Sequence, residues 1–198
     1  MLTGLGHKLI EVDFSELSSG ICSYYVIAPA ECSSNLSRFD GVKYGYRSEG
    51  EKDIANLYMN TRSDGFGDEV KKRILIGTHV LSAGFYDAYY LQAQKVRRMI
   101  KVKFEDFFKH VDLIFMPTTL DQAFEKNRKS DDPNRMYKED LLTIPANLAG
   151  LPAISFPNGF KNNLPIGGQL IGKYFGEDLL LNTTNKIQEV TDWHKMTP

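Results

Sequence analysis

The sequence predicts a layered α/β fold. Two observations carry the prediction. Short apolar runs of strand character (KLIEVD, DLIFM, PAISF and IGGQLIG) are spread along the chain, and segments of helical length and periodicity separate them. Strands alternating with helices bury a sheet face beneath apolar helix stripes, and that layering defines the class. With 42% of 198 residues apolar, the chain can fill a real core.

The elements follow in order. Lys8–Asp13 reads as a first strand behind Gly6. Glu16–Arg38 is helical in composition, but Pro29 lacks an amide donor, so a break or a new first turn is expected near Ala28. Phe39–Gly67 is polar and rich in Gly, Tyr, Arg and Ser, and reads as a long loop with a short helix around Asp53–Asn60. Asp68–Ser82 reads as a helix whose first turn carries Asp68 and Glu69, where the macrodipole favours acids. Gly84 punctuates the chain before a longer helix, about Tyr86–His110. There Val96, Ile100, Phe104, Phe107 and Phe108 make one apolar stripe. Asp112–Met116, ending at Pro117, reads as a buried strand. Thr118–Asn134 reads as a loop, and Arg135–Leu148 as a helix interrupted by Pro145. Pro152–Phe156 and Ile166–Gly172 read as strands joined by a turn over Asn158–Asn163, and Glu177–Thr191 as a closing amphipathic helix. No repeat or convincing internal boundary appears, so residues 1–198 are taken as one partial domain.

Charge excludes some functions. Lys plus Arg number 24 and Asp plus Glu 25, a formal net charge of −1, which gives no electrostatic case for binding nucleic acid or membrane. Two cysteines, Cys22 and Cys32, make no disulfide framework and point to a reducing compartment. The opening residues lack the pattern of a signal peptide, and no run is long and apolar enough to span a bilayer.

Several stretches carry more specific information. They are Tyr24–Tyr46 (YYVIAPAECSSNLSRFDGVKYGY), Gly65–Gly77 (GFGDEVKKRILIG), Gly84–Arg97 (GFYDAYYLQAQKVR), Asp131–Pro157 (DDPNRMYKEDLLTIPANLAGLPAISFP) and Leu164–Gly172 (LPIGGQLIG). In this order they resemble the C-terminal part of the glutamyl-tRNA(Gln) amidotransferase A subunits, which are amidase-signature enzymes. The resemblance covers nearly the whole chain. It implies the C-terminal portion of the amidase-signature fold, a mixed β-sheet core covered by helices.

The resemblance also implies a function. Such A subunits hydrolyse glutamine to release ammonia. A B subunit then uses the ammonia, with ATP and Mg, to convert Glu-tRNA(Gln) into Gln-tRNA(Gln) for translation, and a small C subunit holds A and B together. The implied partners are therefore the B and C subunits, glutamine, and tRNA through the complex, with no membrane and no cofactor on this chain itself. The implied location is the bacterial cytoplasm, or the matrix of a mitochondrion or plastid.

Family chemistry uses a Ser–Ser–Lys triad in a Gly/Ser-rich segment. A serine hydroxyl is a weak nucleophile near neutral pH and needs a base, and backbone amides of the segment hold the oxyanion. This sequence departs there. Its only Ser-Ser pairs, Ser18–Ser19 and Ser33–Ser34, lie where helix is expected and read as capping or solvent-facing serines. The family's triad lies N-terminal to the matched segments, so no catalytic residue is expected in this chain.

Substrate binding is different. Free glutamine is a zwitterion, so a selective pocket needs a cation and an anion held apart. An arginine fork suits the α-carboxylate and an aspartate suits the ammonium. The resemblance places the arginine at Arg73 (EVKKRI) and the aspartate at Asp140 (MYKEDLLT), with a tyrosine of YYVIAP lining the pocket, Tyr24 preferred to Tyr25. Without the resemblance, Arg73 is a helix-surface residue paired with Glu69, and Asp140 a solvated helix residue.

Other features read as structural. Lys95, Arg97, Arg98, Lys101 and Lys103 read as a solvated helix face, with a tRNA contact as the lesser reading. Phe85–Tyr90 reads as packing. His7, His79, His110 and His194 show no metal-ligand spacing, and no metal is assigned. Two alternatives stay open: an inactive truncated product that keeps only a partner-binding surface, and another amidase-signature hydrolase.

Overall fold

The computed structural model describes residues 1–50, 52–125 and 139–197, the side chain of Glu16 excepted. The fold is α/β, and the described residues form two compact units. One, the sheet unit, comprises Met1–Ile21 and Val96–Pro198; the other, the helical unit, comprises Cys22–Lys95.

The sheet unit is built on strands β1 (Leu113–Pro117), β2 (Ala153–Lys161) and β3 (Leu164–Gly172), in the order β1-β3-β2 with both pairings antiparallel. Ile114 faces Ile171 across β1 and β3, and Ile154 faces Leu170 across β2 and β3. Successive residues of a strand point to opposite faces, yet Leu170 and Ile171 are both buried, so this stretch of sheet is covered on both sides. One cover is α6 (Glu177–Glu189), whose Leu180 and Ile187 pack with Phe156 and Leu170.

The hairpin differs from the expected Asn158–Asn163 turn. Strand pairing continues to Lys161↔Leu164, and the reversal takes only Asn162 and Asn163, at φ 52° and 61°. Asparagine tolerates this left-handed region, which a two-residue hairpin requires. The irregularity moves inside β2, to a register shift between Pro157 and Phe160, with Gly159 at φ 132°.

Helix α4 spans Leu91–Phe107. The predicted stripe is its buried face: Ile100, Phe104 and Phe107 are buried in the sheet unit. Phe14 meets Phe104 edge-on at 5.8 Å and stacks on Phe107 at 5.2 Å. The expected helix start at Tyr86 is instead a π-helical turn, Tyr86–Tyr90. In helix α5 (Ile144–Ala149), Pro145 belongs to the first turn, where a missing donor costs nothing. Residues 126–138, which hold part of the expected 118–134 loop and the beginning of the expected helix at Arg135, lie outside the described residues.

The strand expected at Lys8–Asp13 is not formed. The segment is irregular, and Leu9 remains 63% exposed. Ile10 and Val12 would share one face of an extended segment, but no strand among the described residues pairs with it and Ile10 stays 48% exposed. Asp13 ends the stretch by accepting from the Ser15 amide (2.8 Å) and hydroxyl (3.0 Å), which starts a 3₁₀ turn.

The helical unit corrects the expectation at Pro29. Helix α1 (Gly20–Leu36) continues through it without a break. The reason is the neighbour, helix α3 (Asp68–Val80), whose Gly77 lies against this turn: a Cβ built there would fall 1.9 Å from the Pro29 carbonyl oxygen. Interior proline costs about 3 kcal/mol in a helix. Pro29 and Ala30 are both buried, so tertiary packing offsets that local penalty.

Helix α2 (Ile54–Gly65) is longer than expected and is capped by Asp53, which accepts from the Ala55 and Asn56 amides. The preceding loop is anchored. Arg62 donates to the carbonyls of Leu36 (2.8 Å) and Phe39 (3.1 Å), serving the open C-terminal end of α1. Asp40 accepts from the Val42 and Lys43 amides, and these bonds hold its carboxyl below the ordinary aspartate value.

The helix contact generates a prediction. Gly77→Ala drives a methyl into backbone, which cannot move as a side-chain tip can, and should cost about 3 kcal/mol or more in urea denaturation. Gly67→Ala, which meets nothing within 4 Å, should cost under about 1 kcal/mol.

Candidate functional site

Arg73 lies in the second turn of α3 and, at i−4 from Gly77, on the same face as the glycine that meets α1. Tyr24 and Tyr25 lie about one turn before Pro29 in α1, with their rings edge-on at 5.1 Å. The α1–α3 contact extends to Ser33 and Thr78, whose hydroxyls are 2.9 Å apart. Thr78 Oγ1 already donates to the Ile74 carbonyl at 2.8 Å, so Ser33 is the donor between the two. Two of the sequence-predicted site residues, Arg73 and Tyr24, thus stand on two helices that pack directly on each other.

Asp140 belongs to the other unit. It opens the turn into α5, where its carbonyl accepts from the amides of Thr143 (3.1 Å) and Ile144 (3.0 Å) and from the Thr143 hydroxyl (3.2 Å). Its side chain is exposed. The preceding residues of its motif, Met136 to Lys138, lie outside the described residues.

Arg73 Nε lies 3.5 Å from Glu69 Oε1, and the two side chains are 46% and 57% exposed. This is the i, i+4 pair that helix spacing alone predicts. An exposed pair of this kind contributes only about 0.3–0.5 kcal/mol and leaves the guanidinium in water, where a bound carboxylate can reach it.

Several of the remaining sequence features make contacts among the described residues. Ser18 Oγ donates to the Ser15 carbonyl at 2.9 Å, and Ser33 bonds to Thr78. The basic face of α4 is partly engaged: Arg97 donates to the Leu148 carbonyl at 2.9 Å, and Lys103 lies 5.5 Å from the Phe107 ring centre. Phe85 packs on His79 at 4.1 Å, and Tyr86 stacks on Tyr90 at 5.2 Å. Sequence reading missed a cavity of about 300 Å3 in the sheet unit, with Phe104, Phe108, Leu151 and Tyr174 among its walls and Lys101 and Lys173 beside them. Its residues come from three separate segments, and nothing in their spacing signals that they meet.

The fold is that of an amidase. The amidase family model matches residues 1–181, and the chain belongs to that family. Among curated relatives, it is 58% identical to the glutamyl-tRNA(Gln) amidotransferase A subunit of Hahella chejuensis over 98% of its length. It is 55% identical to the Coxiella burnetii protein of the same name over 100%. The chain spans about 40% of the length of these relatives. Among solved structures, the glutamyl-tRNA(Gln) amidotransferase A subunit of Thermotoga maritima superposes with a TM-score of 0.63 at 42% identity, covering 90% of this chain and 34% of that one. Among the described residues, no helix is long and apolar enough to cross a membrane.

The exposed ion pair yields a prediction. Arg73→Ala should change the stability of the chain by no more than about 0.5 kcal/mol in urea denaturation, because only the Glu69 pair is lost. A much larger loss would show that Arg73 is a structural residue.

Proposed function

We propose that this chain is the glutamine-binding portion of the A subunit of a tRNA-dependent amidotransferase. The observation that carries the reading is the 58% identity to the Hahella chejuensis protein across 98% of the chain. In this role Arg73 takes the α-carboxylate of glutamine through its planar fork, Asp140 takes the ammonium, and the Tyr24 ring lines the pocket. An arginine that is only weakly held by Glu69 supports the assignment, since binding a substrate carboxylate then displaces little.

Glutamine hydrolysis on this reading needs the Ser–Ser–Lys triad, which the chain does not carry, and so needs the part of the relatives outside the match. The ammonia would go to a B subunit that uses ATP and Mg to convert Glu-tRNA(Gln) into Gln-tRNA(Gln), with a C subunit completing the complex. Such a complex works where translation does, in a bacterial cytoplasm or an organelle matrix.

Two experiments test this. Purified alone, the chain should release no ammonia from glutamine above background, because no acyl-enzyme can form without a nucleophile and its base. Reproducible turnover by the isolated chain would refute the reading. The second test joins the chain to the unmatched part of the Hahella chejuensis protein and assembles the product with that organism's B and C subunits. There Arg73→Ala should lower glutamine-dependent amidation by about 10- to 150-fold, the worth of one charge-assisted pair, and leave ammonia-dependent amidation unchanged. Arg73→Lys should restore little, since an ammonium cannot form the two-pronged bond. Equal losses with both nitrogen donors would remove Arg73 from the pocket.

A further inference from the structure

The turn between β3 and α6 presents an aromatic ring at a conformational cost. The Gly176 amide donates to the Lys173 carbonyl at 2.9 Å, which closes a four-residue turn with Tyr174 and Phe175 at its centre. Phe175 occupies the third position at φ 59°, where glycine or asparagine is ordinarily found and a bulky side chain is an outlier. Its side chain gains nothing in return within the described structure, being 95% exposed.

The turn is nevertheless held firmly. The Tyr174 hydroxyl donates to the Ala149 carbonyl, and Lys101 Nζ sits 5.2 Å from the centre of the Tyr174 ring. Lys173 Nζ lies 3.8 Å from Asp112, on the loop entering β1. The Gly172 amide donates to the Pro152 carbonyl at 3.0 Å just before the turn. Phe175 is therefore an exposed aromatic on a braced support, with Leu179, in the following helical turn, 45% exposed. A rigid aromatic anchor loses little conformational freedom on binding, and such residues dominate interface energetics.

We propose that Phe175 is the anchor of a docking surface, and that its occupant is an apolar pocket on the part of an amidase-family chain that lies outside the match. More than half the length of each curated relative lies outside it, since the chain spans about 40% of them. This inference rests on the reading of the chain as a portion of such an A subunit. A free surface has no use for the strain, whereas a contact with a fixed partner offsets it.

The test co-expresses the 198-residue chain with a tagged version of the unmatched part of the Hahella chejuensis protein and measures the Kd of the purified pair. Wild-type chain should form a 1:1 complex. Phe175→Gly and Phe175→Asn should each weaken it at least 10-fold. The thermal midpoint of the chain alone should stay the same or rise, because both residues accept the positive φ. A residue with a purely internal role would lower that midpoint instead. Wild-type affinity in both variants, or no complex with the wild-type chain, overturns the proposal. Concentration-dependent self-association lost in Phe175→Gly, with no complex, also overturns it and assigns the surface to a second copy of the chain. Arg73→Ala should leave this Kd unchanged, so a failed glutamine site and a failed docking surface give different results.

Discussion

From Gly168 to Ile171, strand β3 is paired along both of its edges, and the sheet unit is organised by that condition. A stretch paired on both sides is shut off from water, so its backbone groups must find their partners in the neighbouring strands. β1 pairs from Leu113 to Pro117, and β2 from Ala153 to Lys161 with one register shift. The polar residue of the buried stretch, Gln169, conforms as well: its amide donates to the carbonyls of Pro117 (3.1 Å) and Leu142 (2.9 Å). Those two bonds tie the end of β1 and the approach to α5 to the central strand. They also fix where the chain carrying Asp140 meets the sheet.

In the helical unit, the comparable constraint is steric. Gly77 against the Pro29 carbonyl is a backbone-to-backbone approach that no side chain could mediate. It explains together two features that look unfavourable alone, a proline and a glycine each in the interior of a helix. The same contact sets the heights along α1 and α3 at which Tyr24 and Arg73 occur. A pocket made from these residues inherits its geometry from packing rather than from hydrogen bonds between them. That suits a site in which the arginine must stay available to a ligand. The exposed Glu69 pair orients Arg73 while binding it only weakly.

Much of this is legible in the order of the residues alone. The stripe Ile100, Phe104 and Phe107 is visible as a helical period and is buried as the period requires. Asp68 and Glu69 mark the start of α3, and the Arg73–Glu69 pair follows from i, i+4 spacing. The strands at Leu113–Pro117 and Leu164–Gly172 follow from short apolar runs. The proposed glutamine-binding residues are legible in a different way, through whole matched segments. Neither charge nor spacing distinguishes Arg73 or Asp140 from ordinary surface residues.

Local sequence by itself therefore determined the elements whose signal is periodic or chemical: amphipathic helices, capped helix starts and strand-forming runs. Tertiary structure decided the rest. Whether Pro29 breaks its helix depended on a glycine 48 positions later in the chain. Whether KLIEVD becomes a strand depended on a hydrogen-bonding partner, and none pairs with it among the described residues. The length of the β2–β3 hairpin depended on the register in which β2 pairs with β3. The physical reason is common to all three. Periodicity and capping act over a few residues and are written in adjacent letters. Close approach and strand pairing are satisfied by residues far apart in the chain, whose meeting is decided only when the fold closes.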